Sequence, residues 1–133
     1  MRKLLILGLM LAGMCIGLTP GSALAQQRWA AIDPNSEVSS SVVWADTEDK
    51  AREAAMASCK RVSKSCAGGP ASTNTMSDIF AVMCCTQPRL GCAIYAGSDR
   101  QDALNGVKKI FADANYSNCT LRHYLSAGTG RKE

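Results

Sequence analysis

Two residue types in this chain could carry chemistry: its seven cysteines and its single histidine. The stretch "AVMCCTQPRLGC" sets Cys84 beside Cys85 and places Cys92 after six intervening residues, and "CKRVSKSC" repeats that spacing with Cys59 and Cys66. Structural zinc sites favour cysteine pairs two to four residues apart, commonly with histidine, and redox centres favour Cys-x-x-Cys. Neither pattern is present, so no metal and no cofactor is expected. His123 is the obvious general base for a hydrolase. On a regularly alternating strand, however, it shares a face with Cys119, Leu121 and Leu125, which describes a structural histidine. No Gly-x-Ser-x-Gly elbow accompanies it. Asp99 and Asp102 fall in the first turn of a helix, where the dipole accounts for them. No catalytic residue is assigned, and the chain is read as a non-enzyme.

The compartment decides what the thiols mean. "MRKLLILGLMLAGMCIGLTPGSALAQ" has a basic start, an apolar run and the small-residue signature Ala23-Leu24-Ala25, the pattern of a secretory signal peptide over residues 1–25 cut before Gln26. A membrane anchor is the weaker reading, because the run is short and broken by Gly8, Gly13 and Gly17. Cys15 leaves with the leader, since Met14 precedes it where a lipoprotein signal needs a small residue. Of 133 residues, 108 then remain, with 13 basic and 11 acidic side chains after Arg2 and Lys3 are removed, a charge of +2. That balance argues against nucleic acid, and no stable membrane insertion is expected after cleavage.

Six cysteines in an exported chain read as three disulfides, with 15 possible connectivities. Equal six-residue loops favour Cys59 with Cys66 and Cys85 with Cys92, which leaves Cys84 for Cys119. Adjacent strand residues point to opposite faces, so Cys84 and Cys85 would clasp in different directions.

The elements that position these groups form two similar halves. "RWAAI" and "SSVVWA" read as a hairpin around "DPNSE". A helix capped at Asp46 or Thr47 follows, with Ala51, Ala54, Ala55 and Cys59 on one face. Ala67 to Ser77 has loop composition. "DIFAVMCC" and "GCAIYAG" form a second hairpin, and "SDRQ" a capping box in which Ser98 caps and Gln101 reaches back. Ala103, Leu104, Val107, Ile110 and Phe111 then recur at helical spacing, with Gly106 a local weakness and Asn115 the end. "CTLRHYL" closes the fold as a strand. The expectation is a small disulfide-stapled α+β domain over residues 26–125, two strand-strand-helix halves with a closing C-terminal strand, and a flexible tail over 126–133. Trp29 and Trp44 could form a ligand platform but are read as core.

"WAAI…VVWADTEDKAREAAMASC" and the later "CAIYAGSDRQDAL" resemble the exported bacterial family catalogued as domain of unknown function 4189, over about Trp29 to Leu125. The resemblance implies bacterial export and an α+β domain. That family has no established catalytic residues, so none is carried over.

The expected activity is therefore binding: a periplasmic or secreted module that uses rigid, covalently closed loops against another envelope or extracellular protein. Arg61 and Arg89, one in each short cysteine loop, are the expected contacts. A structural envelope component is the alternative, and a hydrolase using His123 comes third.

Overall fold

The computed structural model describes residues 27–33, 35, 41–64, 66 and 69–133. The leader, with Cys15, lies outside the described residues, as does most of the "DPNSE" turn. Along the chain run β1 (Trp29–Ile32), β2 (Val43–Ala45), α1 (Glu48–Val62), β3 (Ala71–Thr73), β4 (Ile79–Gln87), β5 (Gly91–Gly97), α2 (Arg100–Asp113) and β6 (Ser117–Ser126). Two antiparallel sheets result, ordered β2-β1-β3 and β5-β4-β6. The fold is α+β, as the hairpin and helix patterns require.

Strand alternation sets the layers. Ala30 and Ile32 of β1 meet Phe80, Val82 and Leu125 of the second sheet in one apolar core between the sheets. On the outer face of the first sheet, Ala31 packs on Ala51 and Ala55 of α1. On the outer face of the second, Ala81 and Met83 pack on Ala103, Val107 and Phe111 of α2. The order of layers is helix, sheet, sheet, helix.

The halves share one plan, strand-strand-helix-strand, with the first strand central and the second and last as its neighbours. Their buried positions also correspond. Val42 and Ile94, Ala51 and Ala103, Ala55 and Val107, and Cys59 and Phe111 are buried pairs each separated by 52 positions (42 to 94, 51 to 103). The helix caps Thr47 and Asp99 keep the same interval.

The structure departs from the sequence expectation at β3, at the cap of α2 and at the C-terminal residues. The loop reading of 67–77 overlooked β3, a short strand of small and hydroxylated residues that carries no apolar signal. It is held by its ladder to β1 and by Ser72, whose Oγ donates to Glu48 Oε1 at 2.7 Å and accepts from Arg52 at 3.3 Å. The cap of α2 is Asp99 rather than Ser98: Asp99 accepts from the Asp102 N–H at 2.8 Å, and the Asp102 carboxylate accepts from the Ser98 N–H at 2.9 Å. Gln101 instead donates to Asn105. Finally, residues 126–133 fold back on β6. Ser126 N–H donates to Arg131 O, Glu133 N–H donates to Tyr124 O, and Ala127 is fully buried with its N–H on Asp78 O. An alanine offers little apolar area to betray such burial in a sequence.

α2 ends in a Schellman motif. Asn115 takes φ 56°, and Tyr116 N–H reaches Phe111 O at 2.9 Å, bringing the two rings to 5.5 Å between centroids. Gly106 has its own explanation. A Cβ there would lie 2.2 Å from the Tyr95 ring, so the glycine is the seat on which that ring rests. Gly106→Ala is therefore expected to destabilise the wild type by about 1 kcal/mol, although alanine is the better helix former. In a Tyr95→Ala background the same change is expected to stabilise. A urea double-mutant cycle checks this, and stabilisation in both backgrounds would contradict it.

Candidate functional site

The cysteines pair as Cys59–Cys66, Cys84–Cys92 and Cys85–Cys119. The first bond is the expected one, while the other two exchange partners relative to the loop-spacing argument. Register is the reason. Cys84 lies directly opposite Cys92 on β5, and Cys85 directly opposite Cys119 on β6, whereas Cys85 faces Gly91 across the hairpin. Because β4 is central, its adjacent cysteines staple one neighbour on one face and the other neighbour on the opposite face.

The two staples bracket one end of the second sheet. Beyond them project the exposed end of β4 at Thr86 and Gln87, the exposed turn residues Pro88 to Leu90, with the Gln87–Pro88 bond cis, and the exposed start of β6. Leu90 is 66% exposed, an unusual place for a leucine in a covalently fixed turn. Beside it, Arg89 Nε donates to Tyr116 Oη at 3.0 Å. That bond stabilises the charged guanidinium and raises the Arg89 pKa above its ordinary value. Tyr116 is itself anchored: its ring packs on Phe111, and it lies so close over Gly91 that a Cβ there would sit 3.0 Å from Cε1. Across the turn, Asn118 Nδ2 donates to Thr86 Oγ1 at 2.8 Å, and Ser117 Oγ donates to Gln87 Oε1 at 3.3 Å. The result is a cation and an apolar side chain on a backbone with little freedom left to lose. Sequence reasoning found Arg89 but missed Leu90 and Tyr116, since a leucine in a hairpin reads as strand and its exposure follows only from the register.

The remaining candidates lie elsewhere. Arg61 is in the last turn of α1, inside a helix rather than in the loop assigned to it, and donates to Ser58 Oγ at 3.3 Å. It belongs to the other half, and no hydrogen bond or ion pair among the described residues joins it to Arg89. His123 is half-buried and pairs with Val82, but Leu121 pairs with Met83, so Arg122 is an extra residue in a bulge. The bulge reverses the alternation. His123 and Leu125 consequently belong to the inter-sheet face, while Cys119 and Leu121 lie on the α2 face; the expected common face does not exist.

Trp29 and Trp44 also part company, Trp29 packing on the α1 side and Trp44 against the inter-sheet core. Trp44 donates its Nε1–H to Ala127 O at 2.8 Å and carries the Arg28 guanidinium 4.7 Å from its ring centroid. An open cleft of about 300 Å³ lies there, lined by Gln27, Arg28, Trp44, Ala45 and Asp46. Its one aromatic face is already occupied by Arg28.

Asp33, at the end of β1, is a buried carboxylate. Its Oδ1 accepts from the Asn35 N–H at 2.9 Å, and its Oδ2 has no partner among the described residues. Burial raises its pKa above 3.8 against the opposing pull of the Asn35 bond. A raised folded-state pKa means that the protonated form favours folding; this contribution is complete below the unfolded value and is lost as pH rises through the folded one. Asp33→Asn keeps an acceptor for Asn35 and is expected to remove that loss. Urea unfolding between about pH 3 and about pH 7 should show wild-type stability falling relative to the variant as pH rises. Parallel curves would contradict the assignment.

Among the described residues, no three His, Cys, Asp or Glu side chains gather as a metal site, and no helix is long and apolar enough to cross a membrane. No family model, curated protein or solved structure matches this chain.

Proposed function

We propose that this chain is a bacterial export product of the domain of unknown function 4189 type, a periplasmic or secreted binding domain that holds another envelope or extracellular protein with the stapled end of its second sheet. Three disulfides fit an oxidising compartment. The observation that carries the reading is the Arg89-Leu90 tip, a charged and an apolar side chain projecting from a turn clamped by two disulfides. Such a tip loses little further entropy on binding, which is how preorganisation improves affinity. Arginine adds a planar, always-charged donor suited to a partner carboxylate.

The test is a comparative capture from envelope extract, with oxidised wild type, Arg89→Ala, Leu90→Ser and Arg61→Ala as baits. A protein retained by the wild type should be lost from the Arg89 and Leu90 variants, each weakening binding by more than about 1 kcal/mol. Arg61→Ala, on a different layer of the fold, serves as the comparison. Equal retention by all four folded baits would contradict the proposed contact.

A further inference from the structure

The two edges of the second sheet are treated very differently by this sequence. β6 is protected: it bulges at Arg122, turns through Asn118 at φ 55°, and is partly covered by Lys132 and Glu133. β5, the other edge, is "GCAIYAG", seven residues without a charge or a proline, in unbroken register with β4 from Ile79–Gly97 to Cys85–Gly91. Long, flat, uncharged edges are templates for another strand, and proteins ordinarily blunt them.

The direction of the β5 backbone groups follows from the ladder. Cys84 and Cys92 approach to 4.1 Å between Cα atoms, the short separation of a non-hydrogen-bonded antiparallel pair. Two-residue alternation gives Val82–Ile94 and Phe80–Ala96 the same character. The N–H and C=O of Ile94 and Ala96 therefore point away from β4, towards the open edge.

A second observation lies on the same flank. Tyr95 rests on Gly106, and Ile110 is one turn further along that side of α2. Tyr95 is 40% and Ile110 41% exposed, two of the four large apolar side chains left in solvent among the described residues. Hydrogen-bonding groups and apolar surface are thus unsatisfied side by side.

We propose that two copies of this chain associate through β5, antiparallel about a two-fold axis at Ile94, forming a continuous six-stranded sheet. A strand related to itself by a two-fold axis presents identical patches to each other, and an uncharged strand meets no like-charge penalty in doing so. In this arrangement Tyr95 lies opposite Ala93 of the second copy. Strands about 4.8 Å apart bring the two α2 helices, which lie over β4 and β5, to roughly 10 Å, a normal packing distance with Ile110 at the seam. The stapled tips then point to opposite ends of the assembly.

Sedimentation equilibrium of the oxidised exported protein between about 1 and about 200 µM, with amide exchange at both extremes, tests this. A dimer mass should appear with concentration, accompanied by slower exchange at Ile94 and Ala96. Ala96→Pro removes an edge N–H that bonds to no described residue of the single chain, and Ile110→Lys puts like charges across the axis. Each should weaken dimerisation at least about tenfold while leaving the unfolding of dilute protein unchanged. Should proline perturb the strand, the lysine variant still decides. A monomer at the highest concentration, a dimer with unprotected Ile94 and Ala96 amides, or undiminished association of Ile110→Lys would overturn the proposal.

Discussion

Replacing Cys85 and Cys119 together by alanine is expected to cost about 4 kcal/mol of stability, against roughly 2.5 kcal/mol for Cys84 with Cys92. The difference follows from loop closure. Cys85–Cys119 spans a sequence separation of 34, Cys84–Cys92 one of only 8, and constraining the longer unfolded loop removes more entropy. Both pairs join residues already opposed in the ladder, so the folded state gains little from either bond that hydrogen bonding and packing do not supply. Alanine is chosen because Cys85 is fully buried, and a serine hydroxyl there would add a cost unrelated to the bond. Urea unfolding of the oxidised variants, with the other two bonds intact, gives the comparison. A larger loss from the Cys84–Cys92 pair would contradict loop closure as the origin of the difference.

Gly97→Ala is expected to cost about 3 kcal/mol, a large effect for one methyl group. Gly97 is buried at the end of β5, and a Cβ there would lie 2.3 Å from Ala103 N, 2.7 Å from Ala103 Cα and 2.8 Å from Asp102 C. These are backbone atoms in the first turn of α2, so no rotamer change relieves the overlap; the helix start must move off the sheet. Ala45 holds the corresponding place in the first half (45 to 97) and is accommodated against α1, so the approach of α2 is specifically the closer one. A loss of under about 0.5 kcal/mol in chemical denaturation would show that α2 can be displaced cheaply.

The general plan was legible because its causes are local. Alternation of apolar residues made the two hairpins, Thr47 capped α1, and the interval from Ala103 to Val107 to Phe111 oriented α2. What escaped was set by partners distant in sequence. β3 exists because β1 offers a ladder to Ala71–Thr73, three residues with no strand pattern of their own. Equal loop lengths favour Cys85 with Cys92, but the strand register overrides them. Pairing Cys84 with Cys92 also places Val82 opposite Ile94 and Phe80 opposite Ala96 on one apolar face, a signal in the sequence that loop length alone does not weigh. The bulge at Arg122, which parts His123 from Cys119 and Leu121, has no comparable local signal. At the stapled end, Arg89 was visible by type and loop position, while the exposure of Leu90 and the support from Tyr116 depend on how β6 returns beside β4.

The rigidity of the tip depends on which strands the adjacent cysteines clasp, and fragmentation of the non-reduced protein measures that directly. Proteases leave Cys84 and Cys85 on one peptide, so the amide bond between them must be broken in the mass spectrometer by collisional fragmentation, which leaves the S–S bonds in place. The fragment ending at Cys84 should carry the Cys92 peptide and the fragment beginning at Cys85 the Cys119 peptide. Finding Cys119 on Cys84 and Cys92 on Cys85, or free thiols at either position, would contradict that pairing.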